Sequence, residues 1–267
     1  MSELSPSTVQ VSLSEVLAAL SHALDLTEGQ PLGHTNRTCL IGMRLAAELG
    51  LSPEDRSALY YALLLKDAGC SSNAARMAAL FGSDDQFVKP RMKVVDWHHR
   101  LRLALQTARN VGAGRGIGER VRHFLAIART EGMARDLIAV RCERGASIAR
   151  QLGFPESTAE AIRSLDEHWC GLGYPEGLAE ERIPLLARIA NIAQAVETFH
   201  ESASVQAALD VARERRGSWF DPELVDIVVG WKRDVEWWRE LRAANVREQV
   251  VAAEPACRTA FSTRPAR

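Results

Sequence analysis

Hydrophobic residues recur every three or four positions along most of the chain, which is the period of an amphipathic helix. In the first such stretch, Val16, Leu17, Leu20 and Leu24 fall on one helical face. No stretch of the sequence combines strict apolar/polar alternation with the β-branched residues typical of a strand. The pattern therefore predicts an all-α protein. The predicted helices cover residues 13–26, 34–49, 53–68, 72–81, 92–110, 117–130, 133–152, 156–169, 184–200, 203–215 and 222–245.

Turn signals mark where several of these helices begin and end. Ser52 precedes Pro53, and a carboxylate follows at Asp55, which is typical of a helix N-terminus. Gly50 stands just past the preceding helix, where glycine commonly ends one. The glycine-rich stretch 112–118 is predicted to be a flexible connector, because no strand precedes it as a phosphate-binding loop requires. We expect a disordered N-terminus at 1–11, a helical domain at 12–245 and a C-terminal tail or truncated linker at 246–267.

Composition and charge exclude several classes of protein. Hydrophobic residues make up 46% of the 267 residues, enough for a buried core. The formal net charge of −1 gives no bulk basic field for direct binding of nucleic acid. No apolar run is long enough to span a membrane, and residues 1–10 lack a signal-peptide pattern. The five cysteines include no C-x-x-C pair, so we expect a reduced protein in the cytoplasm.

The most specific motif lies at residues 166–175, which read DEHWCGLGYP. Together with 34–37, 66–69 and 141–146, this stretch resembles the HD-GYP family, a branch of the HD superfamily of metal-dependent phosphohydrolases. The motifs fall in the family's order. The resemblance implies an HD-type helical bundle with a helical insertion at about 72–125, in which the motif positions converge on one pocket. The chain is also similar to the N-terminal HD half of LuxR-type HD-GYP regulators.

The chain departs from the family at most of the metal ligands that the resemblance implies. His34 and Asp67 match, but Lys66 and Arg141 stand where the family has histidines. Protonated lysine and arginine have no lone pair to offer a metal, so we expect no metal and no other cofactor. The further departures are Leu165 and Asp166 for paired histidines, Gln194 and Cys170 for aspartates, Gln30 for a glutamate and Cys70 for a lysine.

Two interpretations of the substituted site stay open. Lys66 and Arg141 either pair with Asp67 and Asp166 as a salt-bridge cluster, or they take over the charge of the metals and bind a phosphorylated ligand. The predicted ligand pocket contains Lys66, Arg141, Glu167 and Gln194, beside a motif loop formed by Gly171, Gly173, Tyr174 and Pro175.

The substitutions favour a non-catalytic regulatory module in nucleotide signalling. We expect it to bind a protein partner or a phosphorylated nucleotide-type ligand, and to form a homodimer, without contacting nucleic acid or membrane. The alternative is an active phosphohydrolase, a cyclic-dinucleotide phosphodiesterase, that uses His34, Asp67 and Asp166 with a divalent Fe, Mn or Zn ion. Three tryptophans near the C-terminus, Trp231, Trp237 and Trp238, are predicted to pack the last helix onto the body.

Overall fold

The computed structural model describes residues 10–69, 133–255 and 259–262, and it confirms the all-α prediction for this part of the chain. The predicted helices at 72–81, 92–110 and 117–130 lie outside the described residues, as do the connector at 112–118 and the whole predicted insertion at about 72–125. The helices are α1 (Leu13–Glu28), α2 (His34–Glu48), α3 (Pro53–Leu65), α4 (Met133–Gln151), α5 (Glu156–Arg163), α6 (Leu185–Ser202), α7 (Val205–Glu214), α8 (Pro222–Gly230), α9 (Val235–Glu240) and α10 (Val246–Ala252). Short 3₁₀ turns lie at Glu180–Arg182 and Trp231–Arg233.

The first helices begin and end at the residues that the sequence indicates. The Ser12 side chain accepts from the Glu15 backbone N–H, and the Glu15 carboxylate accepts from the Ser12 backbone N–H, so α1 starts with a capping box. The Ser52 side chain caps α3 by accepting from the Asp55 backbone N–H at 3.1 Å. Gly50 has a φ of 65°, a left-handed conformation that favours glycine and lets the chain turn out of α2.

Helix α3 forms the centre of the core. Every residue from Ala58 to Leu65 is buried, because α3 packs against α2 on one side and α5 on another. The hydroxyl of Thr158 on α5 donates to the Ala58 carbonyl at 3.1 Å and joins the two helices. Helix α6 packs against α2, α5 and α7. This arrangement buries the motif residues His34, Lys66 and Asp67. No helix in the described ranges is long and apolar enough to cross a lipid bilayer.

Two helix predictions were wrong in extent. The helix predicted at 156–169 ends at Arg163, because the carbonyls of Asp166 and Trp169 accept hydrogen bonds from a following loop rather than from a next helical turn. The helix predicted at 222–245 is three pieces: α8, a 3₁₀ turn, and α9. Asp234 causes the second break, because its side chain caps the new helix by accepting from Trp237.

The segments around both ends of the chain are more ordered than the sequence indicates. Residues 10–12 form a short strand paired antiparallel with residues 259–262, inside the segments predicted as a disordered N-terminus and a tail. Helix α10 also lies in the predicted tail. Val250 on α10 is fully buried, and its carbonyl accepts from the Tyr60 hydroxyl at 2.9 Å. The sequence does not show a clear helical hydrophobic period here, because α10 has only seven residues and a single fully buried apolar position.

The tryptophan prediction is confirmed. Trp231, Trp237 and Trp238 contact one another edge to face or tilted, at centroid distances of 4.8–6.4 Å. Arg44 of α2 stacks on Trp231 at 4.5 Å and on Trp237 at 4.3 Å. The cluster therefore packs the segment after α8 against α2, and the cation–π contacts stabilise this packing in addition to the burial of the rings.

Candidate functional site

A buried polar group connects the start of α2 with the turn after α3. His34 is the first residue of α2 and is fully buried. Its Nε2 atom lies 3.2 Å from the Nζ atom of Lys66, and its Nδ1 atom hydrogen-bonds to Glu197 on α6. Lys66 also forms an ion pair with the adjacent Asp67, and the side chains of both are at least 95% buried. The structure thus brings together His34, Lys66 and Asp67, three of the predicted site residues.

The donor and acceptor chemistry of this group fixes the state of the histidine. A lysine ammonium donates hydrogen bonds and accepts none, so Nε2 of His34 must accept. The ring proton therefore sits on Nδ1, which donates to Glu197. Glu197 also accepts from Nε of Arg37 at 2.7 Å. Burial acts to raise the pKa of Glu197, but its bonds from His34 and Arg37 outweigh burial, and the pKa lies below its ordinary value.

A second ion pair joins Arg141 of α4 to Asp166 in the loop after α5. The two side chains are about a fifth exposed, at 22% and 21%, so this pair borders solvent while Lys66 and Asp67 do not. The thiol of Cys142 lies 3.5 Å from Asp166, and burial raises the pKa of that thiol, so it stays protonated and donates. Arg141 is thus the most accessible cation of the predicted site.

Gly69 brings the turn after α3 into direct contact with α4. A methyl group at Gly69 would overlap the backbone carbonyl of Arg141 and approach the backbone nitrogen of Gly145 at 2.7 Å. Only a glycine allows the turn after α3 to lie directly on α4. Asp67 lies two residues before Gly69, so this contact brings the backbone of the 66–69 motif against the backbone of α4 at Arg141. The convergence of all the motif positions on one pocket stays a prediction.

The loop at 166–178 is organised by the buried carboxylate of Glu167. Its oxygens accept from the backbone N–H groups of Glu176 at 2.7 Å, Gly177 at 3.1 Å and Leu178 at 2.9 Å. Burial raises the pKa of Glu167, and the three N–H groups offset only part of that rise. The sequence predicted Glu167 as a ligand-pocket residue. In the structure its carboxylate is engaged with the loop backbone, so it acts as a positioning residue.

The rest of the motif loop follows this arrangement. Gly173 lies so close to the backbone of Glu167 and His168 that a side chain would not fit. The Tyr174 N–H donates to the Asp166 carbonyl at 2.9 Å, and the Tyr174–Pro175 peptide is cis. Gly171 has a φ of 77°. These contacts hold Asp166, and with it the Arg141 pair, at the edge of the site.

The remaining predicted residues take part in neither ion pair or lie outside the described ranges. Gln194 is partly exposed on α6, one helical turn before Glu197. Gln30 is buried, and its Nε2 atom has no hydrogen-bond partner among the described residues. Leu165 is buried in the core, and Cys170 is exposed. Cys70 lies outside the described residues.

The side chains of the described residues do not fit a divalent metal. The described ranges contain no group of three or more His, Cys, Asp or Glu residues arranged to hold one. The acceptor atoms of His34 and Asp67 face the Lys66 ammonium, and Asp166 faces Arg141. A metal bound by His34 and Asp67 would have to displace the Lys66 ammonium, and a metal bound by Asp166 would have to displace the Arg141 guanidinium.

Glu197 and Arg37 belong to the site but were missed from the sequence. A glutamate among apolar residues of a helix is a signal in itself, because an unpaired buried carboxylate is costly. Glu197 interrupts the buried face of α6 formed by Ala193, Val196 and His200. Arg37 lies one turn after His34 on α2 and is likewise buried. The spacing of each from a predicted site residue on the same helix indicates a shared face.

Comparisons with known proteins agree with this fold. Residues 127–224 match the family model described as HD domain. The chain is 41% identical over 245 residues to the 3′3′-cGAMP-specific phosphodiesterase 3 of Vibrio cholerae, covering 91% of this chain and 53% of that protein. It is 36% identical over 76 residues to the cyclic di-GMP phosphodiesterase response regulator RpfG of Xanthomonas campestris pv. campestris, covering 26% of this chain and 20% of that protein.

A solved structure gives the same assignment. The crystal structure of a cyclic GMP-AMP-specific phosphodiesterase of V. cholerae matches with a TM-score of 0.72 and 34% identity, over 96% of this chain and 57% of that one. The chain thus spans about half the length of the V. cholerae relative. These findings support membership of the HD superfamily. The finer similarity to LuxR-type HD-GYP regulators stays a prediction.

The comparisons correct the functional expectation from sequence. The substitutions favoured a non-catalytic regulatory module, and that interpretation was wrong, because the extensively similar relative is a phosphodiesterase. The expectation equated the loss of imidazole ligands with the loss of turnover. A phosphodiester anion is also held by guanidinium and ammonium groups, which this site supplies. The findings favour the alternative, a cyclic-dinucleotide phosphodiesterase.

Proposed function

We propose that the protein is a cyclic-dinucleotide phosphodiesterase with a non-standard site, and that 3′3′-cGAMP is its substrate. The observation that carries the proposal is the 41% identity, over 91% of this chain, to a phosphodiesterase specific for that compound. Because the chain spans 53% of that relative, the proposal concerns the whole protein to which these residues belong. The location in the cytoplasm and the homodimer also stay predictions.

Arg141 is the residue we expect to meet the substrate. Its planar guanidinium suits two oxygens of a phosphodiester, and it is partly exposed where Lys66 is buried. A phosphate oxygen that takes over the Arg141 bond releases Asp166 from its ion pair. The freed Asp166 carboxylate then accepts a proton from water at the edge of the site.

The hydrolysis that this implies is balanced by one water molecule. The water oxygen attacks phosphorus and the bond from phosphorus to one ribose oxygen breaks. Asp166 passes the proton that it took from water to that ribose oxygen, and the second proton of water stays on the new phosphate monoester. Positive charge near the phosphate oxygens stabilises the transition state. The family resemblance implies Fe, Mn or Zn in this reaction, but the described donors do not fit such an ion. No step is therefore assigned to a metal here.

The test is a hydrolysis assay with purified protein, followed by chromatography of the nucleotides. The substrates are 3′3′-cGAMP and cyclic di-GMP, each with and without Mn²⁺. We expect linear dinucleotide from 3′3′-cGAMP. Loss of a general base typically costs about 10²- to 10⁴-fold in rate, so Asp166→Asn should lose at least about 100-fold.

A matched variant controls for the loss of an ion-paired aspartate. Asp226→Asn breaks an exposed pair with Arg216, in which the side chains are 62% and 46% exposed. It should leave the rate unchanged. If the folded wild-type protein leaves 3′3′-cGAMP intact with and without Mn²⁺, the proposed function is wrong.

A further inference from the structure

We propose that the Lys66 ammonium is a built-in replacement for a divalent cation between His34 and Asp67. The inference goes beyond the proposed function, because it concerns cation binding and not turnover. Nε2 of His34 and a carboxylate oxygen of Asp67 both face the Lys66 Nζ atom in a buried setting. An imidazole nitrogen and a carboxylate oxygen are the donors that proteins offer to transition metals.

The surroundings of His34 strengthen this assignment. A metal-binding histidine almost always donates its second ring N–H to a carboxylate or carbonyl, which fixes the ring and raises its basicity. His34 has this arrangement, with Glu197 on Nδ1 and the ammonium on Nε2. Arg37 in turn holds Glu197 at 2.7 Å. The order carboxylate, histidine, cation is therefore complete, and the cation belongs to the chain.

A count of charges explains why the wild-type site should reject a metal. Lys66 and Asp67 sum to zero charge in a place that is almost fully buried. A divalent ion added beside the ammonium would leave two net positive charges there. Buried charge without a partner is strongly unfavourable. Replacing the lysine with a neutral donor removes this repulsion and leaves a site rich in ligands.

The experiment measures Zn²⁺ binding by isothermal titration calorimetry and by the shift in melting temperature. The variants are Lys66→His, which supplies an imidazole, and Lys66→Met, which removes the ammonium without adding one. We expect one Zn²⁺ bound by Lys66→His with a rise in melting temperature. We expect no site-specific binding by Lys66→Met or by the wild type. Adding Asp67→Asn to Lys66→His should abolish binding.

The contact from Glu197 gives a second, graded readout. Loss of such an outer carboxylate typically lowers metal affinity about 10- to 100-fold, so Glu197→Gln in the Lys66→His chain should weaken Zn²⁺ binding by that factor. A Lys66→His chain that folds but binds no Zn²⁺ would overturn the proposal.

The wild-type titration keeps the proposal falsifiable if Lys66→His fails to fold. A wild-type chain that binds one divalent ion, and loses it in Asp67→Asn, contradicts a resident ammonium. A wild-type chain that binds none at this place supports it. These outcomes are independent of the hydrolysis assay, so failure of either proposal is recognised separately.

Discussion

Removing the buried charge of Lys66 tests the electrostatics of the site most severely. Lys66→Met keeps the length and apolar stem of the side chain but deletes the ammonium. The mutant leaves Asp67, which is 95% buried, without its ion-pair partner, and Nε2 of His34 without its donor. Breaking a buried pair from one side costs about 3–5 kcal/mol. Asp67 keeps a further interaction, so we expect a loss of about 3 kcal/mol in the free energy of unfolding.

Urea denaturation followed by circular dichroism measures this loss. With an m-value of about 3 kcal/mol/M, the midpoint should fall by about 1 M. The double mutant Lys66→Met/Asp67→Asn should recover a large part of it, because no net charge stays buried. Arg216→Met is the matched control, since it breaks a pair whose side chains are 46% and 62% exposed. Exposed pairs contribute about 0–1 kcal/mol, so its midpoint should barely move.

Two results would refute this reasoning. A Lys66→Met midpoint equal to that of the wild type would mean that the ammonium does not neutralise Asp67 in solution. A double mutant less stable than either single mutant would mean that the two charges do not act as a pair.

Three other perturbations test neighbouring features. Arg141→Met should lower the free energy of unfolding by about 1–2 kcal/mol, because its ion pair with Asp166 is only partly buried, and adding Asp166→Asn should recover part of this loss. A urea midpoint higher than that of the wild type for Arg141→Met would contradict the ion pair. Gly69→Ala should lower the free energy of unfolding by about 1–3 kcal/mol, because the added methyl group overlaps the Arg141 carbonyl, whereas Gly230→Ala has open space around it and should change stability little. Equal urea midpoints for the two variants would refute the close approach of Gly69 to α4. Burial lowers the pKa of His200 below its ordinary value near 6.5, so protons bind the unfolded chain preferentially and stability should fall as pH drops below about 6.5. The urea midpoints at pH 7.5 and pH 5.5 should differ less in His200→Phe than in the wild type, and an equal difference would contradict this.

The fold was predictable because local signals agree with tertiary packing over most of the described chain. The caps at Ser52 and Gly50, and the period of α1, are consequences of neighbouring residues alone. The early end of α5 was not predictable in this way. It depends on the Asp166 carbonyl finding the Tyr174 N–H, a contact that a helical period does not encode.

The sequence indicated the four charged residues of the two ion pairs, but it missed Arg37 and Glu197 and did not decide the pairing. The motif positions identified Lys66, Asp67, Arg141 and Asp166, and left open whether the charges pair or face a ligand. The structure pairs them as Lys66–Asp67 and Arg141–Asp166. Burial separates their roles, because the first pair is enclosed and the second borders solvent. That difference arises from how α4 and the 166–178 loop lie on α3, which sequence spacing does not give.

The difference in burial gives the two ion pairs different proposed roles. The buried pair contacts His34, and in the proposal made above its ammonium takes the place of a divalent ion. The Arg141–Asp166 pair is about a fifth exposed, and the proposed function assigns its guanidinium and carboxylate to the phosphodiester. This division requires that the cation next to His34 be the lysine and that substrate meet Arg141.

A crystal structure of the wild-type protein grown with Mn²⁺ and 3′3′-cGAMP, with anomalous data collected for manganese, tests the account most directly. We predict no anomalous peak between His34 and Asp67, the Lys66 Nζ atom in that place, and a phosphate oxygen of the nucleotide on Arg141. A manganese peak bound by His34 and Asp67, with the Lys66 side chain turned away, would contradict the account.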